Sequence, residues 1–149
     1  RSDQVVDTIL ASSDVVNKDR RLLERYVLVY LYHAWGGPHW TNQYNFLSPT
    51  KSVCNWNDGI DLGKGIWCDD NGFVNELIMQ HNRLAGALDP IVFHLNPIYF
   101  WINGNNIDGS ISSYIGNLDQ IRQIEAQNTL LAGTIPTEIG KLSTLKLLH

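Results

Sequence analysis

Aliphatic residues recur at a nearly constant spacing in the C-terminal half of the chain. A short phrase, in which an Asn or Thr is followed by aliphatic residues and a glycine at fixed offsets, begins at Asn82, Asn105 and Thr129, at intervals of 23 and then 24 residues. The glycines of the three copies are Gly86, Gly109 and Gly133. A period in the low twenties is typical of solenoid proteins, in which each coil buries its apolar side only against neighbouring coils. The pattern therefore predicts an α/β solenoid rather than a closed globule.

Each repeat is predicted to begin with a short strand whose side chains alternate between core and surface. In the strand that starts at Val74, this alternation places Leu77 and Met79 inward and places Ile78 and Gln80 outward. The third repeat has the same frame, and we expect its outward side chains to continue the surface that the first strand begins.

The middle repeat is one residue shorter, and its register is open. Either Phe100 and Ile102 or Trp101 and Asn103 take the inward positions, and the sequence favours the first pair slightly. Under the favoured register Tyr99 and Trp101 face outward beside the isoleucine of the preceding repeat. Under the other register Trp101 is a core residue.

The N-terminal half has a different pattern. Residues 3–10 have apolar side chains at helical spacing and predict a short helix, and Asp19 to about Trp35 predicts an amphipathic helix that ends at residues 36–38, Gly-Gly-Pro. Residues 39–73 contain three tryptophans and many Asn, Asp and Gly residues, which favour irregular structure around aromatic side chains. The predicted segments are an extension at 1–18, a cap at 19–73, and about three repeats plus the start of a fourth at 74–149. Because the fourth repeat is unfinished, we expect the native protein to continue or another protein to cover this end.

The chain has two cysteines, Cys54 and Cys68. An even pair close in sequence, with no third cysteine and no histidine at ligand spacing, favours a disulfide over a zinc site. Two buried free thiols are the alternative. A bond that closes this loop would stabilise the fold by about 3 kcal/mol and would indicate an oxidising compartment.

Composition and charge exclude two classes of partner. The net charge is -4 and the basic residues are scattered, so the chain has no basic stripe of the kind that binds nucleic acid. The longest apolar run, Tyr26 to Trp35, is about half as long as a membrane-spanning helix requires. We therefore expect neither nucleic acid binding nor a transmembrane segment in this stretch.

The repeats resemble plant-type leucine-rich repeats, whose pattern is L-x-x-L-x-L-x-x-N-x-L-x-G-x-I-P. The best copy runs from Leu131 to Leu142. The segment from Tyr30 to Asn42 is similar to the cap helix and following turn of such proteins from protists, algae and bacteria, and the two cysteines are similar to the paired-cysteine cap. The resemblance covers residues 20–149. It implies a right-handed superhelix with a helical, disulfide-linked N-terminal cap, as in receptor-like ectodomains of a protist or alga.

No familiar catalytic motif occurs in the chain. Aspartates near the cysteines, from Asp58 to Asp70, lack the ligand order of a calcium loop and are better explained by turns. His81 beside Glu76 supports only a weak hydrolase hypothesis. We therefore predict no enzyme, no cofactor and no metal site.

The outward strand residues are the predicted binding surface, because these residues line the concave face in leucine-rich-repeat proteins. They are Glu76, Ile78, Gln80, His81, Tyr99, Trp101, Arg122, Gln123, Glu125 and Gln127. The leading hypothesis is a non-catalytic module that recognises a protein or peptide, as the N-terminal part of a longer receptor-like protein that is secreted or anchored to a membrane outside this sequence. The alternative is a structural accessory subunit that contacts neighbouring subunits of a larger complex. Either way, we expect an extracellular or other oxidising lumenal location.

Overall fold

The computed structural model describes residues 17–60 and 63–149. In these ranges one α-helix, α1 (Asn17–Ala34), precedes a series of short strands. The strands are β1 (Gly65–Cys68), β2 (Val74–Ile78), β3 (Ala85–Ala87), β4 (Tyr99–Trp101), β5 (Asn106–Asp108), β6 (Gln123–Glu125) and β7 (Leu147–Leu148). Short 3-10 helices at Pro90–Leu95, Ser113–Asn117 and Thr137–Lys141 lead into β4, β6 and β7. The helix predicted at residues 3–10 lies outside the described residues.

The repeats form one main sheet in the order β1-β2-β4-β6-β7. β2, β4, β6 and β7 run parallel, and each is paired with the strand one repeat away. β3 and β5 form a second, smaller parallel sheet. This stacking is what the sequence period predicts, because strands at equivalent positions of successive repeats come to lie side by side.

The inward residues of the main sheet settle the register of the middle repeat. Leu77, Phe100 and Ile124 lie in register and are buried, and Ile102 is also buried. Trp101 is only half-buried and points to the opposite face. The favoured register is therefore correct, and the alternative with Trp101 in the core is wrong.

Asparagine side chains satisfy the backbone where the chain turns after each strand. The buried Asn105 side chain accepts hydrogen bonds from the backbone N–H groups of Asn82 and Leu84, both at 3.0 Å, and donates to the carbonyl oxygens of Met79 and Ile102. Thr129 takes the equivalent position in the next repeat, and its hydroxyl donates to the Ala126 carbonyl at 2.7 Å. The hydroxyl therefore replaces part of the asparagine network.

The N-terminal region is joined to the first repeat as if it were a preceding coil. The Asn82 side chain exchanges two hydrogen bonds with the backbone of Asn42, and the Trp35 carbonyl accepts from the Ala85 N–H at 3.1 Å. The Trp35 indole N–H donates to the Ala87 carbonyl at 2.9 Å. These bonds hold the end of α1 against the edge of β3, where the unpaired backbone of an open edge would otherwise lie.

The structure of the N-terminal region contradicts one prediction from the sequence and confirms another. Residues 65–68, predicted to be irregular, form strand β1, which pairs antiparallel with β2. Cys54 and Cys68 form a disulfide, as predicted from the sequence. The bond links the short 3-10 helix Val53–Asn55 to the end of β1.

A buried carboxylate joins α1 to the start of β2. Glu24 is 2% exposed; it accepts a hydrogen bond from the Val74 N–H at 3.0 Å and pairs with the Arg20 guanidinium at 3.1 Å. Burial raises the pKa of the Glu24 carboxyl above its ordinary value of 4.5, although both partners favour the charged form.

We expect Glu24→Gln to change how stability depends on pH. Because the folded-state pKa of Glu24 is raised, its protonated form is favoured in the folded state, and its contribution to stability is lost as the pH rises from about 4.5 through the folded-state pKa. The free energy of unfolding of the wild type should therefore fall relative to that of Glu24→Gln between pH 4.5 and neutral pH. Urea unfolding of both proteins across this window measures the difference, and a constant difference would contradict the expectation.

Candidate functional site

The outward side chains of the main sheet form three rows that cross the strands. We call this surface the strand face. The strand pairings place Trp67, Glu76, Tyr99, Gln123 and Leu147 in the first row, and Ile78, Trp101 and Glu125 in the second. Backbone hydrogen bonds from His81 to Asn103 and from Gly104 to Gln127 place Gln80, Asn103 and Gln127 in the third. Most of the predicted binding residues thus lie on one surface.

Ile78 does not offer the exposed apolar contact that the sequence predicted. Its side chain faces outward but is only 1% exposed. Its neighbours across the sheet are Gly65 of β1, the strand that the sequence analysis missed, and Trp101 of β4. Ile78 therefore lies in the second row of the strand face but offers no apolar surface to a partner.

Three aromatic residues lie on the strand face. The Tyr99 and Trp101 ring centroids are 5.8 Å apart with planes inclined at 42°, and both residues are half-buried. Trp67, which the sequence analysis did not include, is paired with Glu76 and is also half-buried. The signal that could have found it is the alternation in Gly65 to Cys68, which places Ile66 in the core and Trp67 on the other face.

Two carboxylates lie in the same rows as the aromatic rings. Glu76 is in register with Tyr99, and Glu125 is in register with Trp101. Glu125 accepts a hydrogen bond from the Gln123 side-chain amide at 2.5 Å, which fixes one of its two oxygens. Glu125 forms no ion pair with any described residue, so its charge is not neutralised within residues 17–60 and 63–149.

The third row is a line of amide side chains with unused hydrogen-bonding atoms. One side-chain oxygen in each of Gln80, Asn103 and Gln127 is buried and has no hydrogen-bond partner among the described residues, and the same is true of the Trp101 indole nitrogen. The sequence analysis included the two glutamines in the predicted binding surface, but it considered Asn103 only as an inward residue of the alternative register. Buried polar atoms without a partner cost free energy, so this row has hydrogen-bonding capacity that the described residues do not use.

His81 and Arg122 lie at the margins of the strand face. His81 is in the turn after β2 with a φ of 52° and is exposed, and its imidazole lies where a Cβ atom on Gly104 would be. Arg122 precedes β6 and is also exposed.

A groove lies between α1 and the disulfide region. This open groove of about 440 Å³ is lined by residues that include Arg21, Leu22 and Arg25. Both guanidinium groups already donate to backbone carbonyls, Arg21 to that of Asn71 and Arg25 to that of Ser48. The groove therefore offers fewer unpartnered polar groups to a ligand than the strand face does. We assign the candidate site to the strand face.

Two further observations bear on the kind of site. In the described part of the chain no group of three or more His, Cys, Asp or Glu residues is arranged to hold a metal ion. Among the same residues, no helix has the length and apolar character needed to cross a membrane. The chemistry of the strand face is that of aromatic contacts, amides and carboxylates.

Comparison with known proteins identifies the fold. No protein-family model and no curated protein sequence matches the chain. Among solved structures, the complex of PEPR1 with AtPEP1 matches with a TM-score of 0.67 and 22% identity, over 85% of this chain and 17% of that chain. The leucine-rich-repeat ectodomain of the plant membrane receptor kinase GASSHO1/SCHENGEN3 from Arabidopsis thaliana, in complex with CASPARIAN STRIP INTEGRITY FACTOR 2, matches with a TM-score of 0.50 and 19% identity, over 83% of this chain and 17% of that chain.

The chain therefore has the fold of leucine-rich-repeat ectodomains, as the repeat pattern predicted. It spans less than a fifth of the length of each of these two structures. The right-handed superhelix and the division into extension, cap and repeats stay predictions.

Proposed function

We propose that this chain is a non-catalytic recognition module that binds a peptide or an extended protein segment on its strand face. The observation that carries the proposal is the row of three amides beside Trp101, whose buried polar atoms have no partner among the described residues. A bound peptide supplies donors and acceptors in its main chain, and aromatic side chains supply contact area at low entropic cost. The surface is built on paired strands, so little ordering is needed on binding.

The fold and the disulfide support an extracellular setting for this function. A disulfide is stable in secreted and lumenal proteins and rare in the cytosol. The two similar structures are complexes, with AtPEP1 and with CASPARIAN STRIP INTEGRITY FACTOR 2 respectively. A fold hosts many functions, so the proposal depends on the strand face and takes only its general class from these structures. We infer that the chain is the N-terminal part of a longer receptor-like protein, with the N-terminal region as its cap.

A specific observation favours the alternative of a structural subunit. Leu22 is 68% exposed and Tyr26 is 52% exposed, one helical turn apart on the outer side of α1. Large exposed apolar side chains that lie together are typical of contact surfaces between proteins. In this alternative α1 contacts a neighbouring subunit, and the strand face binds no free ligand.

We expect a double substitution on the strand face to prevent ligand capture. The wild-type chain with its disulfide intact would be immobilised, exposed to secreted peptides from its source, washed with salt and analysed by mass spectrometry. Tyr99→Ala combined with Glu125→Arg should reduce recovery of the captured peptide by at least about tenfold, because it removes an aromatic contact and reverses a charge on the same surface.

A matched variant on another surface controls for general damage. Tyr114→Ala with Glu138→Arg makes the same two changes on the 3-10 helices, where Tyr114 is 37% exposed, and should leave capture unchanged. Equal recovery by the wild type and the strand-face variant would contradict the proposal. Loss of a stoichiometric protein partner only on Leu22→Ser with Tyr26→Ser would favour the structural subunit.

A further inference from the structure

The strand face has a local arrangement that selects one kind of ligand side chain. Tyr99 and Trp101 lie on the same strand with ring centroids 5.8 Å apart, and Glu125 lies in register with Trp101 on the next strand. Neighbouring strands are separated by about 4.8 Å. A carboxylate is therefore placed one strand away from an aromatic surface that is not fully covered by the protein.

The charge on Glu125 has no cationic partner in the described part of the chain. Gln123 donates to one carboxylate oxygen, and Glu125 is half-buried. Arg122, just before β6, and Lys146, just before the neighbouring strand β7, are exposed and form no ion pair with it. Partial burial lowers the effective dielectric constant around the carboxylate, which strengthens its attraction for a cation on a ligand.

We infer that the strand face binds an arginine side chain of its peptide ligand, with the guanidinium group against the Trp101 ring and hydrogen-bonded to Glu125. This inference rests on the proposed function and adds the chemical class that the site selects. Cations are attracted to the face of an indole ring, and a guanidinium group also stacks on it as a flat surface. The same group donates paired hydrogen bonds to a carboxylate.

Arginine fits this place better than lysine or an acidic residue. The planar guanidinium group can contact the ring with its face and the carboxylate with its edge, whereas an ammonium group is a compact and strongly hydrated charge. An acidic side chain would meet the carboxylate of Glu125, which lies in register with Trp101. Like charges at this distance are repulsive, so the arrangement also discriminates against acidic ligands.

A pair of tripeptides tests the inference on the intact chain. Acetyl-Gly-Arg-Gly-amide and acetyl-Gly-citrulline-Gly-amide have nearly the same shape, but only the first has a charge. Each would be titrated at matched ionic strength while the indole N–H signal of Trp101 is followed by NMR. That signal is assigned as the one missing in Trp101→Phe. We expect the arginine peptide to shift the Trp101 signal with an affinity at least about fivefold higher than the citrulline peptide.

Two variants decide what the shift means. Glu125→Gln keeps the size of the side chain and should reduce the preference for arginine to less than about twofold, whereas Glu138→Gln, on the 3-10 helix Thr137–Lys141, should leave it unchanged. Equal shifts with both tripeptides, or a preference that survives Glu125→Gln, would overturn the inference. If the strand-face double variant still loses the native ligand in that case, the proposed function stands without the arginine site. If native capture survives the double variant, the proposed function fails and the inference fails with it.

Discussion

Asn105→Ala is expected to lower the free energy of unfolding by about 3 to 5 kcal/mol, the largest effect of a polar substitution in the repeats. The Asn105 side chain is 4% exposed. It accepts hydrogen bonds from two backbone N–H groups and donates to the backbone carbonyl oxygens of Met79 and Ile102, across adjacent turns. Alanine removes these partners and leaves the backbone groups buried and unpaired. Urea unfolding followed by circular dichroism, with the disulfide intact, measures the change.

The equivalent position of the next repeat provides the control. Thr129 is half-buried, and its side chain makes one hydrogen bond, to the Ala126 carbonyl. Thr129→Ala should lower the free energy of unfolding by about 1 kcal/mol. The cost is small because water can reach this half-buried position and hydrogen-bond to the Ala126 carbonyl once the hydroxyl is removed. If the two alanine variants lost the same stability, the burial of the asparagine network would not be the cause, and the explanation of the turn would be wrong.

The repeat architecture could be predicted from the sequence because it depends on local spacing. The interval between Asn82 and Asn105 sets which strands become neighbours, and the alternation around Leu77 sets which side chains enter the core. These features are repeated in the chain, so an ambiguity in one copy is reduced by the others, as for the register of Phe100 and Trp101.

The N-terminal region could not be predicted to the same depth, because its contacts are non-local and occur once. Nothing near Gly65 in the sequence indicates that residues 65–68 pair with β2. Trp67 was missed for the same reason. The positions of the candidate site were predictable from alternation, whereas the hydrogen bond from Gln123 to Glu125 and the unpartnered amide row required side-chain positions.

The three repeat glycines appear equivalent in sequence, but they are not equivalent in the structure. Gly86 has a φ of 140°, and a Cβ atom there would meet the backbone carbonyl oxygen of Ala34 at the end of α1. Gly109 has a φ of 85°, and a Cβ atom there would meet nothing closer than 3.8 Å, a normal van der Waals contact. A backbone oxygen held at a helix end cannot move aside as a flexible side chain can, so only Gly86 is required for the contact between the N-terminal region and the first repeat.

We therefore expect Gly86→Ala to cost about 3 to 5 kcal/mol and Gly109→Ala about 1 to 2 kcal/mol. Both alanines are strained by a positive φ, and the excess at Gly86 is the steric cost of separating α1 from β3. Hydrogen exchange should locate that cost, with faster exchange of the Ala85 amide and the Trp35 indole N–H in Gly86→Ala, because these groups bond across the same contact. Equal destabilisation by the two variants would mean that backbone strain alone accounts for the glycines, and that the contact at Ala34 adds nothing.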